Sequence, residues 1–546
     1  GGRCPSPFSG YARERLPTSC KIKFYLLLGT MSKRLPFGIC VGIIAIALLA
    51  EPVSAQRKVK LQHADRTKGR IVNGERIDRM IGNVVFVQNQ TTIYCDSAIF
   101  YRSQNAMDAF GRVRIVDGDS VTITASLLKY NGNTKIANLR RNVVFTKLNT
   151  TTLYTDYLDY DRVKNQARYF NGGKLVDSTN TLTSAKGYYD IPRNLASFKK
   201  DVVGVNQDYT LTSDTLQYNS RTKTLLFQDV TTIIDSKGDK AIYREGFYDT
   251  RSKTSDLKKG QFETPSYRVT GDKYLIDDLR KVYKARTNVV MVAKEDQLNI
   301  YGDFGDYDKG AGISKVWGNA YLAKITEEQD TLFLAADTLI SIESPDPAKK
   351  RLLAYPNVRV FRSDLQGIAD SLVYVAADSM MYFYGDPVLW SNGNQMTADS
   401  IRMLILKKKI DKVYMINNSF VISQDSLGNF NQIKGRKMVA NFRQDAIDHV
   451  NVTGNGESLY FALQEEEIKS DTVAVGKILF VTGLNKIICS NMKINFKRGT
   501  VNNVTFYVKP DAEFIPPHEI KEADTRLKNF TWRINDRPRK RDVTGK

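Results

Sequence analysis

From residue 82 to about residue 506 apolar and polar residues alternate with a period of two, and apolar spacing of the helical kind is almost absent. Such alternation marks half-buried β-strands, because successive side chains in a strand point to opposite faces. The chain therefore reads as all-β. The alternation also repeats. Tyrosines stand at 101, 130, 160, 189, 218 and 248, in steps of 29 or 30 residues. Seven residues before the first five come Tyr94, Ile123, Leu153, Leu182 and Leu211. Asn131, Asp161, Asp190, Asn219 and Asp249 directly follow the last five, and these residue types close turns on the local backbone. β-Branched runs such as Val84-Val85-Phe86, Val113-Arg114-Ile115 and Val143-Val144-Phe145 precede the tyrosines. The unit this predicts is strand, turn, strand, Asx turn, strand.

Parity predicts a shape for the unit. The aliphatic residue seven before each tyrosine has opposite parity to the Leu two before it, so a plain strand would aim them at opposite faces. A bulge or corner at the intervening Ala, Ser or Asp returns both to one side, as a strand folded across two sheets requires. Asp337-Thr338-Leu339, Asp370-Ser371-Leu372-Val373-Tyr374 and Asp399-Ser400-Ile401 continue the register. Roughly fourteen units at ~4.8 Å per strand make an elongated stack of at least ~65 Å. Interruptions at 344–350 and 465–471 separate a region 56–343 from one at 351–510, either as sub-domains or as insertions on one face. The tail over 511–546, polar and basic from Lys521 onward, is expected to be mobile.

Length and composition agree with a repeat. The 546 residues exceed the ~250–300 at which single cores stop growing. With 42% hydrophobic and 25% charged residues the chain is neither disordered nor a disulfide framework, since Cys numbers 5. A net charge of +21 raises nucleic acid as a partner. The N-terminal region argues against it. Met31-Ser32-Lys33-Arg34, an apolar run from Phe37 to Ala50 and Val53-Ser54-Ala55 read as a secretory signal peptide over 31–55, cut between Ala55 and Gln56. Residues 1–30 read as an over-extended gene start. An exported basic protein meets lipid and polysaccharide phosphates, not nucleic acid.

Candidate chemistry is sparse. His63, His449 and His518 stand far apart with no metal-ligand spacing, and neither a Gly-rich phosphate loop nor a nucleophile elbow occurs. No catalytic residue, metal site or cofactor is assigned. Asp96, Asp156, Asp214, Asp337, Asp370 and Asp399 could be carboxylates of a polysaccharide-binding or polysaccharide-cleaving solenoid. Their fixed place in each unit favours a corner role instead, since an active site needs one special pair. Cys95 and Cys489 lie in the first and about the last unit, too far apart for a disulfide, and read as buried thiols.

Gly82-Asn83-Val84-Val85-Phe86 followed by Tyr94-Cys95-Asp96-Ser97-Ala98, and Pro387-Val388-Leu389-Trp390-Ser391 with Asn394-Gln395-Met396-Thr397-Ala398-Asp399-Ser400, resemble the OstA-like (organic solvent tolerance) family. That family is related to the LptA periplasmic bridge and the N-terminal domain of the LptD translocon. The resemblance implies a taco-like β-jellyroll of stacked antiparallel strands whose apolar trough carries lipid A acyl chains of lipopolysaccharide across the periplasm towards the outer membrane. It also implies partners among lipopolysaccharide-transport proteins, joined through edge strands, and end-to-end assembly of like domains. The chain is far longer than the usual bridging domain. On this reading Val84, Phe86, Val113, Ile115, Leu128, Tyr130, Val143, Phe145, Leu158, Tyr160, Leu216 and Tyr218 line the trough, although a closed core fits the same residues.

Overall fold

A computed structural model describes residues 58–545, apart from 148–150, 179, 264–266, 295–296, 327–329, 407–408, 444–445, 471–472 and 498–499. The expected gene-start extension and the signal peptide lie outside the described residues. The described strands number 39 and join antiparallel into one sheet.

The repeating unit is two long strands, not the three expected. Strands Thr91–Tyr101, Val121–Asn131 and Thr151–Asp161 alternate with return strands Ala106–Asp117 and Ile136–Lys147. The expected third strand of one unit and the first strand of the next are the two halves of one return strand, because backbone pairing resumes on both sides of the corner. Arg140 pairs with Tyr157, then Val143 with Thr155, and the register shifts between them. The same shift falls between Phe110 and Val113 against the next strand and between Lys199 and Val202 further on.

The backbone explains how the corner is made. Two consecutive residues of the return strand take left-handed φ there: Gly111 and Arg112, Arg141 and Asn142, Thr287 and Asn288, Asn417 and Asn418. Few side chains tolerate that conformation, and Gly and Asn tolerate it best. An aspartate on the neighbouring strand secures each one. The Arg112 Nε donates to Asp96 at 2.9 Å, the Asn142 amide to Asp156 at 3.1 Å, and Asn357 Nδ2 to Asp337 at 2.8 Å. Asn418 Nδ2 donates to Asp399 at 3.0 Å. Asp96, Asp156, Asp337 and Asp399 are thus corner braces. At the hairpin ends Asn131, Asp161, Asn219 and Asp249 each accept two backbone N–H bonds as Asx turns.

Bending every rung divides the sheet into two facing walls. Between residues 313 and 406 the corners break the strands outright, so the walls become separate runs there. One comprises Ile313–Trp317, Thr338–Ile342, Arg351–Tyr355, Ser371–Val375, Met380–Tyr384 and Ser400–Leu406. The other comprises Tyr321–Ile325, Thr331–Ala335, Val358–Phe361, Leu365–Ala369, Val388–Ser391 and Asn394–Thr397. The segment 344–350 is a hairpin insertion with a short 3-10 turn at Pro347–Lys349, across which Thr338–Ile342 and Arg351–Tyr355 remain paired. Glu465 and its neighbours extend a long hairpin formed by Ala446–Ser470 and Val473–Lys497.

The C-terminal segment is not the mobile tail that its charge suggested. Asp511–Ile515 pairs with Leu484–Ile488, and the chain then runs back over the second half of the stack. Three buried glutamines hold it, two by its backbone and one by a side chain. Gln432 accepts from the Leu527 amide at 2.8 Å and donates to Thr525 at 2.7 Å. Gln395 donates to the Thr531 carbonyl at 2.7 Å and accepts from the Arg533 amide at 2.6 Å. Gln366 accepts from Arg537 at 2.7 Å. Phe530 and Trp532 pack on Phe430, and the helix Lys540–Thr544 buries Val543. Basic side chains share in the anchoring, since Arg533 also donates to Asp386 at 2.6 Å and Lys540 lies over the Phe333 ring, which charge counting does not reveal.

Two outcomes are expected. Gly111→Val puts a Cβ at φ +70° within 2.4 Å of Asp96 Oδ2. Amide exchange of the rungs over 91–131 should accelerate by at least ~10-fold, a cost of roughly 1–2 kcal/mol, with distant rungs unaffected. Replacing Gln395 and Gln432 together by Leu should raise tryptic cleavage within 521–541 by at least ~10-fold, because four hydrogen bonds are lost.

Candidate functional site

The free ends of the two walls form two lips, and in the first half of the stack these are bonded together. Tyr130 donates to Gln88 at 2.5 Å, Tyr160 to Asp117 at 2.8 Å and Tyr218 to Asp177 at 2.6 Å. Lys147 donates to Tyr189 at 3.1 Å. Tyr130, Tyr160, Tyr189 and Tyr218 therefore serve as cross-lip bonds, each spanning 41 to 43 residues of chain. Arg162 joins the seam by bonding both Asp117 oxygens and the Tyr130 hydroxyl, and Lys223 pairs with Asp177 at 2.5 Å. Tyr101 departs from the ladder. It is half-exposed, and Phe100 takes the buried place.

Electrostatics follow from this seam. Burial pushes the Asp117 carboxyl up, but bonds from Arg162, Thr91 and Tyr160 outweigh it and hold the group below its ordinary value. Asp177 is lowered in the same way by Lys223 and Tyr218, against its burial. Burial and the adjacent Asp117 push the Tyr160 hydroxyl far up, so it stays a donor.

The seam then slips. Lys253 bonds Asp208 across 45 residues, but the next bridge, Lys309 to Asp239 at 2.9 Å, spans 70. The lips are offset there by an additional rung, and a cavity opens between the walls. One lobe, of about 250 Å³, is lined by Tyr243, Tyr267, Tyr274, Tyr283, Tyr307 and Gly305 among others. The adjoining lobe, of about 450 Å³, is mostly aliphatic: Ile300, Val316, Leu334, Leu339, Val360 and Met381 converge from both walls. Tyr267, Met291, Ser314 and Glu343 line both lobes. The apolar core divides at the same place, with one cluster ending at Val289 and the next beginning at Ile300.

All twelve residues expected to line a trough face inward, and none is more than 3% exposed. They belong to one packed cluster in the first half of the stack, where the side chains themselves fill the space between the walls. Of the twelve, Tyr218 touches a void of about 10 Å³. The cavity lining was missed. Glycine at 305 stands two before Tyr307, but Gly187 and Gly246 hold the same place before Tyr189 and Tyr248, so this spacing does not mark the cavity.

Cys95 and Cys489 are buried free thiols, and burial with the adjacent Asp96 pushes Cys95 up to about 12. Among the described residues no cluster of three His, Cys, Asp or Glu is arranged to hold a metal ion.

Comparison with known proteins bears on the seamed half. Residues 56–214 match the family model of the OstA-like protein. This segment is OstA-like. The matched segment covers most of the regular seam, short of Tyr218 and Lys253, and stops before the cavity. Curated proteins give no match. Among solved structures the chain is similar to LptH, the LptA-homologous periplasmic component of the lipopolysaccharide transport device of Pseudomonas aeruginosa. The identity is 18%, covering 20% of this chain and 76% of that one, with a TM-score of 0.18.

The seam predicts a pH dependence. A depressed carboxyl contributes stability that is fully present above its ordinary pKa of 3.8 and is lost as pH falls through the lower folded value. Asp117→Asn should therefore lower the urea midpoint at pH 5, and the difference from wild type should shrink below about pH 3.

Proposed function

We propose that the chain is a non-enzymatic periplasmic carrier in lipopolysaccharide transport to the outer membrane, which seats lipid A acyl chains between its walls. The observation that carries this reading is the two-walled aliphatic cavity of about 450 Å³ in a chain whose residues 56–214 are OstA-like. Burying a methylene is favourable by about 0.8 kcal/mol, so a few acyl chains are held firmly between such walls. The signal-like segment over 31–55 supports export, and the net charge of +21 suits anionic glycolipid phosphates near the lips.

The seat proposed for the acyl chains is the cavity of the second half, with the seamed half as the same trough in a closed state. Edge strands supply the means of assembly with other transport proteins or with further copies. Lys60–His63 and Arg66–Val72 form a terminal rung on Glu75–Gln88, and Thr500–Tyr507 with Asp511–Ile515 form the opposite one on Val473–Lys497. Unpaired strand edges recruit strands.

A photo-crosslinking residue at Leu334 or Met381 should capture lipopolysaccharide in cells. The same probe at Tyr382, next to Met381 with opposite parity in its strand, should capture at least ~5-fold less. Equal capture at the three positions would remove the cavity from the account.

A further inference from the structure

The cavity has unequal ends. Its larger lobe is aliphatic, whereas the smaller one is walled by five tyrosines. Tyr243 is 1% exposed, lines the smaller lobe, and its hydroxyl has no hydrogen-bond partner. Its neighbours differ. Tyr274, whose ring lies 5.3 Å away, donates to the Gly260 carbonyl at 2.8 Å, and Tyr283 donates to Asp278 at 3.1 Å. A buried unpaired hydroxyl is costly, and native structures rarely keep one without a use. Burial and the nearby Tyr274, Asp278 and Tyr283 keep it protonated, hence a donor.

We infer that the tyrosine lobe is a subsite for the carbonyl oxygen of an acyl ester or amide, which accepts from the Tyr243 hydroxyl while its hydrocarbon chain lies in the aliphatic lobe. The inference rests on the acyl-carrying reading above and adds a direction to it. The oxygen-bearing end of the chain lies towards the seamed half of the stack, and the methyl end towards Met403 and Ile405. Gly305 leaves room for the polar end, and Met291, shared by both lobes, marks the boundary.

The test uses the full chain from Gln56 and two soluble probes of equal chain length below their critical micelle concentrations. Sucrose monolaurate carries an ester carbonyl, and dodecyl maltoside carries an ether oxygen. Calorimetric titration of wild type should show binding of both. Tyr243→Phe should weaken the ester by about 5–10-fold and the ether by less than about 2-fold, the worth of one hydrogen bond. Equal weakening, or none, would overturn the carbonyl subsite and leave acyl binding standing. Failure of both probes to bind wild type would overturn acyl binding itself. Without ligand, Tyr243→Phe should melt at or above the wild-type temperature. A drop of several degrees would show that the hydroxyl already has a structural partner, and would also overturn the inference.

Discussion

The architecture depends on one local event, the bend that each return strand makes at a pair of left-handed residues. A straight strand with this alternation would place its two apolar stretches on opposite faces. The bend brings them to one side, so every rung contributes to two walls and encloses apolar space without needing a larger core. The aspartate on the adjacent strand makes the bend affordable, by bonding the Asn or Arg that occupies the strained position. Length can then grow by repetition, and rungs are added without changing the section of the stack.

What closes the space between the walls differs along the chain. In the first half it is filled by Leu128, Phe145, Leu158 and Leu216, and the lips are tied by tyrosine hydroxyls and ion pairs. Those bonds exchange hydration for partial burial, and Asp117 and Asp177 remain ionised because cations and hydroxyls compensate for it. Further on the bridge to Lys309 spans an extra rung, and the walls stand apart around a cavity. Beyond this, the C-terminal segment takes over the lips through Gln366, Gln395 and Gln432. Its helix packs on Thr331–Ala335 and Val358–Phe361, strands that supply Leu332, Leu334 and Val360 to the cavity wall.

The all-β class, the 29–30 residue period, the corner and the inward face were legible because each rests on local chemistry: alternation, Asx turns, and a parity conflict that only a bend resolves. The unit was misread as three strands because a corner and a turn look alike in sequence, both rich in Gly, Asn and Asp. Whether a ligand or side chains occupy the interior was not legible at Val84 or Leu158. Either outcome needs the same apolar residue. The tail was misjudged from its Lys and Arg content, although Arg533, Arg537 and Lys540 find partners on the stack. The useful signal lay on the other partner, in glutamines at 366, 395 and 432 on strands where aliphatic residues would be expected.

The central claim is that an apolar ligand sits between the walls of the second half, not along the filled first half. Crystallographic analysis of the chain from Gln56 soaked with lipid A tests it directly. The account predicts hydrocarbon density between the two walls, in contact with Leu334, Val360 and Met381. Density confined to the outer faces, or walls collapsed onto each other with no ligand, would contradict it.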